Sequence, residues 1–536
     1  MDKQSENIKT LILDVKDKIG RPVSSRVVAA TIESFGIRDV DTITDYGVAS
    51  IQDLATYVYN QIISSPEYDS LLNDKEKEFL TNQTDTAQIS SYLSAKVKIF
   101  AQYYPLGIFH LLPVFLQIVA IIIFGYSLWT HVDFNHLQST AVVLGVIIGL
   151  ITTGGFVQVI GRQASFFWNY QDYEMTRKTV NYLLKIGVKT LLVIFSIIFL
   201  INFFFRIYPY NVLTVIFVYA FLIGTLLLVL APYHTIKQRW MISLSVLIGT
   251  AVTIYLNKFT SLKIYFTHWL GILTAIIICK IYLHFYLKKL SKNVRKKNFT
   301  LNPVVFLYQN YQYFIYGIFI YIFIFTDRIL AWSTTSDKQL IFIVYFEKDY
   351  ELGMDLAILV FLLLAGVLEY SIASFTRFLD IYQKSFSFDG NNSFNKELKK
   401  LYNQHILLLI GSSLIIFVII YYVVTASWGF KGQFNEELLP MSIHVCAVGS
   451  LGYLFLTWGM LNTLYLLTLG RPTQSLRAII YASIVNVSVG FLLSRFISLE
   501  YSVYGMLAGS LVFTVLTFKE LKKFLNRLDY YYYASY

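Results

Sequence analysis

The sequence predicts an all-α, polytopic membrane protein of about twelve transmembrane helices, preceded by a small helical domain. Three observations predict it. Of 536 residues, 56% are hydrophobic and 14% charged, whereas a soluble domain carries about a quarter charged residues. After residue 100, apolar runs of about 20 residues recur, each long enough to cross about 30 Å of hydrocarbon. Lys and Arg collect in alternate connections between those runs. Within a bilayer the backbone has no water to bond, so such runs must be helices.

Residues 1–98 read as a separate cytoplasmic helical domain, with 11 Lys+Arg against 15 Asp+Glu. Ile8, Leu11, Ile12 and Val15 recur at helical spacing up to Gly20-Arg21-Pro22. Ser24 or Ser25 is placed to cap a second helix through Phe35, stopped by Gly36. Leu54, Val58, Ile62 and Ile63 predict a third, ending before Pro66.

Apolar runs follow at 106–128, 137–160, 186–206, 210–231, 240–257 and 266–287. Six more lie at 304–325, 355–376, 405–425, 441–468, 476–497 and 502–524. The most basic stretch, 288–303, divides them into a first six-helix bundle (99–287) and a second (304–524), with a Tyr-rich tail at 525–536. Six plus six is an arrangement common among transporters. The connections at 161–185, 232–239, 288–303, 377–404 and 470–477, with the C-terminal end, hold 23 basic residues; the opposite ones, with their flanking helix ends, hold 8. By the positive-inside rule, both termini are expected in the cytoplasm of a multi-pass bacterial inner-membrane protein.

Net charge is +11, but the cations sit in short loops between apolar runs. That is a topology signal, and no nucleic-acid partner is expected. No secretory signal opens the chain, whose first residues are mixed polar. Cys279 and Cys446 fall inside apolar runs and read as small buried residues. There is no GxxxxGK[ST] loop, HExxH or CxxC, so no cofactor or metal is expected. His110, His268 and His444 occur singly, as packing residues do. Tyr103, Tyr104, Trp129, Tyr208, Tyr210, Trp240, Trp332 and Trp428 mark run ends, where aromatic rings anchor at the lipid–water interface.

Ionisable groups inside the runs carry more information. Glu369 lies within the eighth run. A carboxylate at that depth is costly unless protonated, paired or hydrated, so it reads either as a pathway or coupling group or as half of a structural pair. Lys280, about two turns from the end of the sixth run, can snorkel to the interface and is a candidate partner. Gln117, Gln309, Asn310, Gln312, Asn462 and Asn486 are placed either to line a polar cavity or to bond helices together. The longest outward segment, 326–354, contains Asp327, Arg328, Asp337, Glu347, Asp349 and Glu351 and reads as a solvated loop of mixed charge, with Asp327 and Arg328 as candidate pathway residues near the outward mouth. Gly145-x-x-x-Gly149, Gly154-Gly155 and Gly505-x-x-x-Gly509 permit close helix approach, and Pro113 predicts a kink in the first run.

Three stretches carry a family resemblance: FTDRILAWS (325–333); YELGMDLAILVFLLLAGVLEYSIASFTRFLDIYQ (350–383), followed by Lys396, Lys399 and Lys400; and GRQASFFWNYQDYEM (161–175). With Asp327, Trp332, Glu369 and Arg377 as the matching positions, the sequence resembles the Pel-type exopolysaccharide exporters. These belong to the multidrug/oligosaccharidyl-lipid/polysaccharide (MOP) flippase superfamily, which includes the MATE transporters. The resemblance covers about a fifth of the chain. It implies two six-helix bundles forming a V around a central cavity, alternating exposure of that cavity, and export of a polysaccharide or lipid-linked glycan. Expected partners are that glycan, membrane lipids, and a cytoplasmic glycosyltransferase or other export-complex subunit. The acidic N-terminal domain is an addition to the superfamily's minimal pattern. Three rivals stand beside a non-enzymatic exporter: a cation-coupled drug antiporter of the same superfamily, a membrane-embedded glycan polymerase or ligase using the outward acidic residues, and a scaffold holding a synthase through residues 1–98.

Overall fold

A computed structural model describes residues 2–64 apart from 20, 21 and 23, and residues 100–291 apart from 102, 106, 108–111 and 237. It further describes 303–334, 343–385, and 391–526 apart from 427–437. His110, Asp337, Trp428, most of the basic linker and the Tyr-rich tail lie outside these residues. So do residues 108–111, the turn ahead of Leu112 and Pro113, where the kink is predicted.

The first three helices, α1 (Asp2–Ile19), α2 (Ser25–Ser34) and α3 (Ile51–Ile63), enclose a core of their own. Leu11 and Val15 meet Val28 and Ile32, and Leu54, Val58 and Ile62 close it from the third side. Ser24 and Ser50 cap α2 and α3 by accepting from Val27 N and Asp53 N. Ahead of α3, a short helical turn covers Asp39–Asp41 and Thr42–Tyr46, which periodicity does not reveal.

The first bundle comprises α4 (Leu112–Phe124), α5 (His136–Asn169), α6 (Tyr173–Phe205), α7 (Tyr210–Thr235), α8 (Trp240–Phe259) and α9 (Ile264–Ser291). The second comprises α10 (Pro303–Trp332), α11 (Lys348–Ser385), α12 (Asn391–Thr425), α13 (Pro440–Thr468), α14 (Pro472–Phe496) and α15 (Val503–Leu525). Eleven of these are long and apolar enough to cross a membrane; α4, as described, is a shorter apolar helix. The turns after α5, α7 and α13 share one end of the bundles, called here the basic end; the opposite end is the far end.

Two connections differ from expectation. The predicted loop 161–185 is almost wholly helix, because α5 runs to Asn169 and α6 starts at Tyr173. Only Tyr170–Asp172 turn the chain, with Gln171 at φ +58° and Asp172 capping Met175 N. At 34 residues, α5 is about 50 Å long, against about 30 Å of hydrocarbon. The helices therefore continue past the apolar runs by which the sequence locates them. The predicted outward loop is likewise consumed from both sides, by α10 up to Trp332 and by α11 from Lys348.

Two apolar cores largely follow the bundles, with Leu144, Ile147 and Ile216 of the first half joining the core of the second and Tyr313 of the second joining that of the first, and the halves meet along α5 and α10. A Cβ at Gly317 would lie 2.5 Å from Gly154 O, and one at Gly155 would lie 2.6 Å from Phe314 O. The glycines thus set how closely the halves approach. Gly145 and Gly149 seat α7 on α5, and Gly505 and Gly509 seat α14 on α15. Gly107, ahead of α4, packs on Gly366 of α11, a further contact across the halves.

Candidate functional site

The two ends of the inter-bundle space are built differently. At the basic end, the connection before α8 places Arg239 of the first half against Glu369 on α11 of the second. Arg239 Nη2 donates to Glu369 Oε1 at 2.7 Å, with the side chains 21% and 31% exposed. Glu369 stands 21 residues into α11, about 31 Å from that helix's far-end start. It therefore lies at the basic end rather than at mid-membrane.

At the far end, a cleft of about 400 Å³ opens between the halves. His131, Phe134 and Ser139 line it from the first half, and Lys348, Glu351 and Asp355 from the second. Beside it, the segment 343–347 is tied to the first bundle. Tyr208 OH donates to Val344 O at 2.8 Å, and Phe346 N donates to Thr140 Oγ1 at 3.0 Å. Burial pushes the Tyr208 phenol up to about 12. Burial also pushes Glu347 up, with Asp349 adding to the effect and His136 opposing it. His131 is held below its ordinary value by burial, which outweighs the nearby Asp133.

Behind the cleft sits a charged cluster. The last turns of α10 supply Asp327 and Arg328, and the first turns of α11 supply Tyr350, Glu351 and Asp355. Carboxylates suit that position, since the helix N-terminus carries partial positive charge. Arg328 Nη1 donates to Glu351 Oε1 and, at 3.4 Å, to Asp355 Oδ1. Tyr350 OH donates to Asp327 Oδ2 at 2.8 Å. Asp327, Arg328 and Glu351 are buried, whereas the Asp355 side chain is 61% exposed. Asp327 Oδ1 and Glu351 Oε2 are buried without a hydrogen-bond partner among the described residues. The expectation of a solvated mixed-charge loop is thus corrected for these residues. They are helical, and Arg328 is shared by two carboxylates, the exposed Asp355 and the buried Glu351, whose burial it offsets.

Neither a family model nor a curated protein matches the chain. Solved structures do. An outward-facing conformation of a multidrug resistance MATE family transporter of the MOP superfamily aligns at TM-score 0.55 and 12% identity, covering 81% of this chain and 96% of that one. Its inward-facing counterpart gives 0.52 and 12%, over 78% and 95%. A MOP superfamily transporter from Pyrococcus furiosus, described as having a binding pocket of reverse polarity, gives 0.55 and 13%, over 81% and 96%.

The chain has the MATE fold.

Within that fold, the polar residues singled out by sequence divide sharply. Asn310 is buried at the seam between the halves, accepting from Gln163 Nε2 at 2.9 Å, and the Gln309 carbonyl accepts from Arg162 at 2.8 Å. Gln117 does not face the cleft: it bonds Thr250 of α8 at 2.9 Å and accepts from Leu128 N at 2.6 Å. Asn462 accepts from Tyr402 OH at 2.5 Å and donates to Thr517 at 3.2 Å, inside the second bundle. Asn486 donates to Phe323 O at 2.9 Å, and Gln312 accepts from Thr473 at 3.1 Å. The side-chain amides of Asn310, Gln117, Asn462, Asn486 and Gln312 bond helices together, whereas the Gln309 side chain is exposed. Lys280 is exposed on α9, and Glu369 pairs with Arg239. Arg377 is also exposed. Buried His268 bonds Tyr219 OH at 2.9 Å, and both cysteines are free and buried. Among the described residues, no group of three or more His, Cys, Asp or Glu side chains is arranged to hold a metal.

Sequence reasoning missed Arg239, Tyr350 and Asp355. Arg239 stands beside Trp240 in a short basic connection, where an arginine reads as a topology signal. Its pairing across 130 residues leaves no local pattern.

Proposed function

We propose that this chain exports a polysaccharide or lipid-linked oligosaccharide across the bacterial cytoplasmic membrane, by alternating exposure of the space between its halves. The observation that carries the reading is the asymmetry of that space. Arg239 and Glu369 join the halves at one end, while a cleft lined by both halves opens at the other. With the basic end in the cytoplasm, the ion pair is the inner closure and the cleft is the outward mouth. The cleft combines His131, Ser139, Lys348 and Asp355 with the rings of Phe134 and Phe346, a lining suited to hydroxyl-rich rings. The Pel-type resemblance at Asp327, Trp332, Glu369 and Arg377 supports the same cargo. The N-terminal domain, on the cytoplasmic side, then docks a glycosyltransferase or another export subunit.

A cation-coupled antiporter is the second reading, favoured by the buried oxygens of Asp327 and Glu351 that have no hydrogen-bond partner among the described residues. Replacing Glu369 by Gln separates the role of the closure from simple assembly. Secreted polymer is expected to disappear while the protein accumulates normally in the membrane. Normal secretion by that variant removes Glu369 from the mechanism.

A further inference from the structure

A second feature, on the lipid-facing side of the seam, has no part in the cleft. An apolar groove of about 180 Å³ runs between α5 and α6 of the first half and α10 of the second. Val159, Leu183, Ile186, Phe306 and Phe314 line it, with Asn310 as a polar member. Leu307, Tyr308 and Tyr311 stand exposed along the same stretch of α10.

Cations stand near this groove, outside its lining, and one of them reaches the lining residue Asn310. Arg162 Nη1 donates to Gln309 O at 2.8 Å and to Asn310 Oδ1 at 3.4 Å, and its guanidinium lies 3.8 Å from the centre of the Tyr313 ring. These contacts fix the group in place, and Arg162 remains exposed. Lys185 and Lys189 are exposed on α6, three and seven residues after Tyr182, itself a lining residue. On a helix of 3.6 residues per turn, those offsets keep both lysines close to the face that carries Tyr182. Neither lysine pairs with a carboxylate among the described residues; the acid nearer the start of α6, Glu174, is held by Arg177 and Lys178.

Depth completes the picture. From Lys185 to Phe205, the end of α6, is 205 − 185 = 20 residues, about 30 Å and so one hydrocarbon thickness. Lys185 therefore stands at headgroup level, and Lys189, one turn deeper, snorkels to the same level. Exposed ammonium groups at this depth, beside an apolar groove, fit a phosphate with an acyl chain attached.

We infer that the groove binds an anionic phospholipid of the surrounding membrane, its acyl chain between α5, α6 and α10 and its phosphate at Arg162, Lys185 and Lys189. Because the groove is walled by both halves, the bound lipid bridges them at the basic end.

The test uses the full chain in mild detergent, titrated with phosphatidylglycerol or phosphatidylcholine of identical chains and read by native mass spectrometry. The wild type is expected to retain phosphatidylglycerol in preference. Each basic residue near an anionic group is worth about fivefold, so K185Q/K189Q is expected to weaken that lipid roughly 30-fold. I186W, which fills the groove and leaves both lysines, is expected to weaken both lipids, whereas K258Q/K263Q changes neither. Equal retention of the two lipids by the wild type overturns the assignment, as does an undiminished phosphatidylglycerol preference in K185Q/K189Q. Full lipid retention by I186W also overturns it, as does displacement of the adduct by excess inorganic phosphate, which would mark a free-anion site.

Discussion

If the Arg239–Glu369 pair closes the basic end, breaking it shifts the balance between closed and open states. The contact is 2.7 Å, with side chains 21% and 31% exposed. Exposed pairs contribute about 0.2–1 kcal/mol, and breaking a fully buried pair costs about 3–5 kcal/mol. Partial exposure places this one between them, at about 1–2 kcal/mol after allowance for solvent screening. That free energy corresponds to a roughly five- to thirtyfold change in the population ratio. Spin labels at Asn169 on α5 and Thr376 on α11, both exposed, report the separation of the halves at this end. Cys279 and Cys446 are buried and need only conservative replacement. Pulsed electron–electron resonance should show the long-distance population rising in Glu369→Gln and in Arg239→Gln. It should return towards the wild-type value when Arg239→Glu is combined with Glu369→Arg. Identical distributions in all four proteins refute the closure, and a swap no better than the single changes assigns the effect to something other than charge pairing.

Two further outcomes follow from the charged cluster and the cleft. Arg328→Gln leaves Glu351 and Asp327 buried beside no cation, and is expected to cost about 3–5 kcal/mol, seen as a marked fall in the thermal unfolding temperature of the purified protein. Arg328→Lys, which keeps the charge, should recover part of that loss. His131, held below its ordinary 6.5 by burial, favours the neutral ring when folded. Its stabilising contribution is present in full above about pH 6.5 and is lost as pH falls from there through the folded value. An imidazole NMR titration should give a midpoint below 6.5, and the loss of stability on acidification should shrink in His131→Gln.

The membrane architecture was legible because a bilayer imposes one rule on every span: about 20 apolar residues in helical form. The same rule hid the helix extensions. Beyond the hydrocarbon, Arg162 to Asn169 remain helical without an apolar run to announce them, and Asp327 and Arg328 are helical for the same reason. Glu369 drew notice as a lone carboxylate within a run, but its partner did not, because an arginine in a basic connection is ordinary. Conversely, the composition of Gln117 and Asn462 suits a cavity lining and a bond between helices equally, and their hydrogen bonds to Thr250 and to Tyr402 and Thr517 depend on which face of the helix meets a neighbour. The Gly154–Gly155 step was legible as a site of close approach; that it joins the two halves rather than two helices of one half required the fold.

The cargo is the central claim, and reconstituted transport tests it most directly. The full chain is placed in proteoliposomes with a fluorescent lipid-linked oligosaccharide, and the glycan reaching the opposite leaflet is read by protection from an external quencher. Translocation by the wild type and its loss in Glu369→Gln are the predicted results. Efflux of a small cationic dye driven by a proton gradient, with no glycan translocation, would contradict the account and favour the antiporter.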